Sequence, residues 1–190
     1  MQKEKKKIKD FADVVTGGTP STSNPLYWNG NIAWLPSGAC KDNIIDSADT
    51  FITEEGYNNS STKMMPVDTV LIALTGATTG KTGLLKIEAC ANQSVTGIIP
   101  NNQYDPKYLF YYLQFIREKI LSDCYGGAQK HISQGYVKEI EVPLPSMEEQ
   151  KNISDKIASI INLINIKRNQ ILKCDQLIKS QFVKEVFAWN

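Results

Sequence analysis

Val142-Pro143-Leu144-Pro145-Ser146-Met147-Glu148-Glu149-Gln150 is the stretch that divides this chain. Pro143 and Pro145 lack amide donors and hold Val142 and Leu144 extended, so no helix can begin before Ser146. Ser146 and Glu149 form a Ser-x-x-Glu capping box, which satisfies two orphan amides and predicts a helix N-terminus there. From Ser146 to Asn190 there is neither Gly nor Pro, and Ile153, Ile157, Ile160, Ile164, Ile171, Cys174 and Ile178 recur at helical spacing. The expected organisation is a globular part over residues 1–145 and a long helix within 146–190.

Steps of four and three between those apolar residues give a heptad. One seam position holds Gln150, Ile157, Ile164, Ile171 and Ile178, and the other holds Ile153, Ile160, Lys167, Cys174 and Gln181. A helix from Ser146 to about Lys184 would be roughly 55 to 60 Å long, more than the diameter of a small domain. Ile161, Leu163, Ile166, Leu172, Leu177, Phe182 and Val183 widen the stripe. A stripe this long and wide calls for a partner helix, in a coiled coil or bundle.

Composition narrows the class. The 190 residues suit one core plus the arm, with no apolar run long enough to span a membrane. Met1-Gln2-Lys3-Glu4-Lys5-Lys6-Lys7 has no apolar segment behind it and does not read as a secretion signal, so a cytoplasmic protein is expected. Cys40, Cys90, Cys124 and Cys174 are widely spaced and His131 is the single histidine, which argues against a structural zinc site. No metal or cofactor is expected. The formal net charge is +1, with seven Lys/Arg against five Asp/Glu in residues 146–190. Bulk charge therefore cannot be the main source of any affinity for nucleic acid.

Within the globular part, Thr16-Gly17-Gly18-Thr19-Pro20-Ser21 is a turn cluster, and strands are expected at residues 32–35, 67–74, 84–89, 94–99 and 139–142. Asp105-Pro106 opens a helix whose buried face is Leu109, Leu113, Ile116 and Ile120, running to about Ser122. Tyr108, Phe110, Tyr111 and Tyr112 on it read as core packing. The fold class is α+β, a mixed irregular sheet followed by the long helix.

Two motifs nearly match enzymes. Gly76-Ala77-Thr78-Thr79-Gly80-Lys81-Thr82 ends like a P-loop, but only three residues separate its glycines. The residues that follow, Gly83-Leu84-Leu85-Lys86-Ile87, read as a return strand where a P-loop must open a helix. A Gly/Thr-rich hairpin tip fits better. Asn24-Pro25-Leu26-Tyr27 resembles the Asn-Pro-Pro-Tyr motif of amino-methyltransferases, yet Leu26 replaces the second Pro and no Gly-rich cofactor loop follows a strand. His131 has no acidic partner suggested by sequence, so no catalytic residue is assigned.

Gly17-Gly18-Thr19-Pro20-Ser21, Tyr27-Trp28-Asn29-Gly30-Asn31-Ile32-Ala33-Trp34, Asn92-Gln93-Ser94, Asp105-Pro106-Lys107-Tyr108-Leu109 and Ile140-Glu141-Val142-Pro143-Leu144-Pro145 with Glu149-Gln150 stand in one order along the chain. In that order they resemble the specificity subunit of type I restriction-modification systems. The resemblance implies a non-catalytic subunit with two target-recognition domains, each followed by a helix. Those helices pair antiparallel as a spacer and dock methyltransferase subunits. Restriction or translocase subunits are further partners that the resemblance leaves open. One domain-plus-helix repeat is matched, as in a half-subunit. Two copies pairing through Ile153, Ile157, Ile160, Ile164, Ile171, Cys174 and Ile178 would then read the two halves of a bipartite site in double-stranded DNA.

Polar loop groups are the expected readers: Thr75, Thr78, Thr79, Lys81 and Thr82 at the hairpin tip, Gln129, Lys130, His131 and Ser133 in a second loop, and Ser37, Lys41 and Asn43 in a third. Asn92 and Gln93 can equally hold loops together. The competing reading is a coiled-coil adaptor whose head binds protein, with no role for DNA.

Overall fold

A computed structural model describes residues 4–124 and 131–187. The chain forms two compact units, Met1–Lys151 and Asn152–Asn190. In the first unit the strands β1 (Lys5–Lys7), β2 (Val14–Thr16), β3 (Trp28–Leu35), β4 (Asn43–Ile45) and β5 (Phe51–Ile52) precede the short helix α1 (Glu54–Asn58). Strands β6 (Val70–Ala73), β7 (Thr82–Leu85), β8 (Cys90–Ala91) and β9 (Val95–Ile98) follow, then helices α2 (Pro106–Phe115), α3 (Arg117–Asp123) and α4 (Gln134–Glu139), strand β10 (Glu141–Pro143) and helix α5 (Met147–Phe187). The α+β class is as the sequence suggests.

Three small sheets carry the unit. The largest has the order β2-β9-β6-β7-β4, antiparallel except where β4 runs parallel to β7. Val70, Leu71, Ile72 and Ala73 of β6 are all buried, which explains why this strand reads as a continuous apolar run instead of an alternation. Leu35, Met65, Leu71, Leu85 and Val95 form the core on it, and α2 packs against β6 and β7 with Leu109 and Leu113 buried. The second sheet, β5-β3-β8, carries Trp28 and Trp34 edge to face at 5.1 Å. The indole of Trp34 donates to the Gly18 carbonyl at 2.9 Å. Gly17 beside it must be glycine, because a Cβ there would lie 2.2 Å from the Ala91 carbonyl oxygen.

The third sheet pairs β1 with β10, Lys5 opposite Pro143. Tyr108 donates its hydroxyl to the Pro143 carbonyl at 2.7 Å and Tyr112 to that of Glu141 at 2.9 Å. The aromatic group of α2 thus packs and clamps this ribbon. Both helix starts have the expected caps. Asp105 accepts from the Tyr108 amide at 2.7 Å, and Ser146 and Glu149 exchange amide bonds at 3.1 and 3.3 Å.

Several boundaries differ from expectation, each for a local reason. The strand expected from residue 67 starts at Val70, since Asp68 sits at φ 68° in a turn whose Thr69 amide donates to Pro66. Of the strand expected at 84–89, only Leu84 and Leu85 are strand, as the end of β7, and the next strand, Cys90–Ala91, joins a different sheet beside β3. That expected at 32–35 begins at Trp28, through an irregularity that includes Asn29 at φ 63°. The single helix expected from 105 to 122 breaks at Ile116. Ile116 still donates to Tyr112 and accepts from Ile120, so the bend costs little hydrogen bonding and leaves the apolar spacing intact. Residues 134–139 are helical, and β10 starts only after them.

The first turn of α5 belongs to the first unit. Gln150, 1 % exposed, accepts from the Asp105 amide and donates to the Pro145 carbonyl, both at 2.9 Å, so it is a bonded strut and not a seam residue. The second unit is the remainder of α5. The helix totals 41 residues, about 60 Å at the usual rise. Ile153 and Ile157 are half-buried, whereas Ile160, Ile164, Ile171 and Ile178 are 44–67 % exposed. Leu163, Leu172, Leu177, Phe182 and Val183 are exposed as well. No helix among the described residues is long and apolar enough to cross a membrane.

Candidate nucleic-acid interface

The β6–β7 connection is a hairpin tip, with a return strand where a P-loop would need a helix. It turns through a single 3-10 turn, Gly76–Thr78, with Gly76 at φ 80° and Gly80 at φ 75°, conformations suited to glycine. Thr79 closes the turn by donating its amide and its hydroxyl to the Gly76 carbonyl, the hydroxyl at 2.6 Å.

A second loop, residues 37–43, runs beside this tip. Thr78 donates its hydroxyl to the Ser37 carbonyl at 3.0 Å. The Asp42 amide donates to the Thr82 carbonyl at 2.8 Å. In return one carboxylate oxygen of Asp42 accepts from the Thr82 amide at 3.1 Å and from its hydroxyl at 3.3 Å. Asn43 folds its side-chain oxygen back onto the Lys41 amide at 2.8 Å and then enters β4. Asp42 sits at φ 60°, which the short carboxylate side chain tolerates.

The third loop reaches the tip from the far end of the sequence. Thr75 bridges His131, and the Ile132 amide donates to the Leu74 carbonyl at 2.9 Å. Ser133 accepts from the Tyr136 amide at 3.0 Å and so caps α4. Residues 37–43, 75–82 and 131–133 therefore converge on one place. Gln129 and Lys130 lie outside the described residues.

Their roles there are unequal. Lys41, His131 and Ser133 are exposed, and Ser37, Asn43, Thr75, Thr78 and Lys81 are partly so. Thr79 and Thr82 are buried, and their hydroxyls are spent on Gly76 and Asp42. These two hold the tip's shape and present nothing outward. Among the described residues neither Lys41 nor Lys81 has an ion-pair partner, so both ammonium groups are free to meet an anion. Asn92 accepts from the Ser94 amide, and Gln93 accepts from the Thr19 hydroxyl, while the Ser94 carbonyl takes the Leu74 amide. Both brace the turn beneath the tip.

Sequence reasoning missed Asp42 and Arg117, which form an ion pair across this region. The one available signal was Lys41-Asp42-Asn43, a turn-prone run before a strand. Among the described residues no cluster of His, Cys, Asp and Glu could hold a metal ion. Burial, with a smaller contribution from Asp42, pushes the Cys40 thiol up to about 12, so it stays protonated beneath the loops.

The family model described as "Type I restriction modification DNA specificity domain" matches residues 2–173. A type I restriction enzyme specificity subunit of Methanocaldococcus jannaschii is 32 % identical over 97 % of this chain and 46 % of its own length. The EcoR124I/EcoR124II specificity subunit of Escherichia coli is 28 % identical over 78 % of this chain and 38 % of its own length. The chain spans less than half of these relatives. In fold it is similar to the crystal structure of the HsdS subunit from Thermoanaerobacter tengcongensis, with a TM-score of 0.69 and 19 % identity over 88 % of this chain and 39 % of that one. A structure of a type I R-M system, solved for its assembly and conformational transition, gives 0.71 at 17 % identity over 86 % of this chain and 39 % of that one. With the model spanning nearly the whole chain, this protein belongs to the type I restriction-modification DNA specificity domain family.

Proposed function

We propose that the chain is a non-catalytic reader of double-stranded DNA. It recognises one half of a bipartite site through the converged loops and uses α5 as spacer and docking helix for methyltransferase subunits. The observation that carries this reading is the convergence of residues 37–43, 75–81 and 131–133, which brings two unpaired lysines, an imidazole and several hydroxyls together on loops. Lys41 and Lys81 meet phosphates, and Ser37, Asn43, Thr75, Thr78, His131 and Ser133 present donors and acceptors to base edges. Residues 1–145 act as the reader and 146–190 as the ruler, in the cytoplasm where methyltransferase and DNA meet.

Two copies pair antiparallel through Ile153, Ile157, Ile160, Ile164, Ile171, Cys174 and Ile178, so the half-sites are inverted repeats about one helical turn, roughly 34 Å, or somewhat more apart. Restriction or translocase subunits join through the methyltransferase. The exposed helix would serve an adaptor equally well, but family membership favours DNA.

The test substitutes Lys41→Ala and Lys81→Ala singly and follows duplex binding by the assembled methyltransferase across salt. Each should weaken binding to all sequences alike and lower the salt slope by about one. Unchanged affinity and slope for both would reject the assignment.

A further inference from the structure

We infer that Asp42 and Arg117 are positioning residues that set base discrimination, resting on the DNA-reading role proposed above. Asp42 works in two directions at once. One carboxylate oxygen accepts from the amide and hydroxyl of Thr82, forty residues away, and the other accepts from Nη1 of Arg117 on α3. The pair is mostly sheltered, its side chains 23 and 34 % exposed.

Each partner leads to a different reading loop. Asp42 sits between Lys41 and Asn43, so its backbone direction aims both. Thr82 ends the tip that carries Thr78 and Lys81. The stem of Arg117 packs under Gly80, where an added Cβ would be only 3.3 Å from its Cγ. The first turn of α3 thus backs the tip while its guanidinium grips the neighbouring loop. Without that grip, the bonds among the described residues that hold residues 37–43 to the tip are those with Thr82 and the Thr78–Ser37 bond, with Asn43 entering the sheet beside Gly83. A base-reading side chain must be held within a fraction of an ångström to discriminate, whereas a phosphate contact tolerates more slack.

Asp42→Asn isolates the ion pair. Asn tolerates the same φ and keeps its oxygen for Thr82, while its NH2, a donor, replaces the oxygen that accepted from Arg117, so the charge and that hydrogen bond are both lost. Arg117→Met keeps the stem under Gly80 and removes the guanidinium, while Arg117→Lys can restore the single N–H contact. The full chain, assembled with its methyltransferase subunits, selects from a pool of randomised duplexes, and affinity is then measured for the selected duplex and for one lacking the motif.

Asp42→Asn and Arg117→Met should each cut the ratio of the two affinities by about five- to hundredfold, the worth of one good base contact. The loss should fall at one or two positions of the half-site, with affinity for the motif-free duplex unchanged and the variants still folded, if with a lower melting temperature. Arg117→Lys should recover most of the ratio. Discrimination at the wild-type level in both variants would overturn the inference and leave the DNA-reading role standing. So would an equal loss of affinity for both duplexes, which marks a purely structural pair. A wild-type assembly that selects no motif would defeat the DNA-reading role itself, and this inference with it. Should Asp42→Asn fail to fold, the Met and Lys variants of Arg117 decide.

Discussion

Ile171→Ala is the sharpest test of the proposed pairing through α5. Ile171 is 62 % exposed. Burying that remainder in a helix seam is worth about 1 to 2 kcal/mol, taking roughly 1.5 to 3 for a whole side chain of this size. In a symmetric pair each copy loses the contact, so the dimer loses about 2 to 4 kcal/mol and its Kd rises about thirtyfold to several hundredfold. Alanine is the best helix former, so the helix itself does not suffer. Sedimentation equilibrium over a wide concentration range, run beside Lys173→Ala as an off-seam control, measures the shift. A variant that dimerises like the wild type would refute the seam, as would a wild-type chain that stays monomeric at micromolar concentration. The melting of the first unit should be unmoved.

Three further outcomes follow from local chemistry. Ser146→Ala removes an N-cap worth about 1 kcal/mol, so the amides of residues 148–150 should exchange severalfold faster with little change in total helicity. With Ellman's reagent at neutral pH, the buried thiols Cys40 and Cys90, both held up chiefly by burial, should stay silent in the folded protein. The exposed Cys174 should react, and react more slowly at concentrations where the helices pair. Glu139 is held down to about 2, first by the side-chain hydrogen bond from Lys7 and next by that from Lys9. Its folded value lies below the unfolded 4.5, so its contribution is intact above 4.5 and disappears as the pH falls through about 2. A carboxyl-carbon NMR titration should show this, and Lys7→Ala with Lys9→Ala should return the midpoint toward 4.5.

Much of the helical framework was legible because its rules act within one turn. Ser146 and Glu149 cap each other across three residues, Asp105 caps α2 at the Tyr108 amide with Pro106 in the first turn, and Pro143 and Pro145 forbid an earlier start. The aromatic run on α2 packs and clamps the ribbon, in keeping with its apolar sequence neighbours. Strand ends were harder, because left-handed residues such as Asp68 and Asn29 break or bulge a strand without altering its apolar pattern. Ile116 shows the same limit in a helix, where the bend keeps the spacing of Leu109, Leu113 and Ile120.

The sequence by itself determined that a bounded domain precedes a long, uncapped-by-glycine helix, which residues lie in polar loops, and to which family the ordered motifs are similar. Each of these depends on neighbours or on order along the chain. Only the tertiary structure decided that the loops at residues 37–43, 75–82 and 131–133 meet. It also decided that Thr79 and Thr82 turn inward, that Gln150 belongs to the domain, and that Asp42 grips Arg117. Those facts come from pairings across tens of residues, such as β4 alongside β7 and Thr75 against His131, and no local propensity encodes which distant backbone will supply a loop's missing hydrogen bonds.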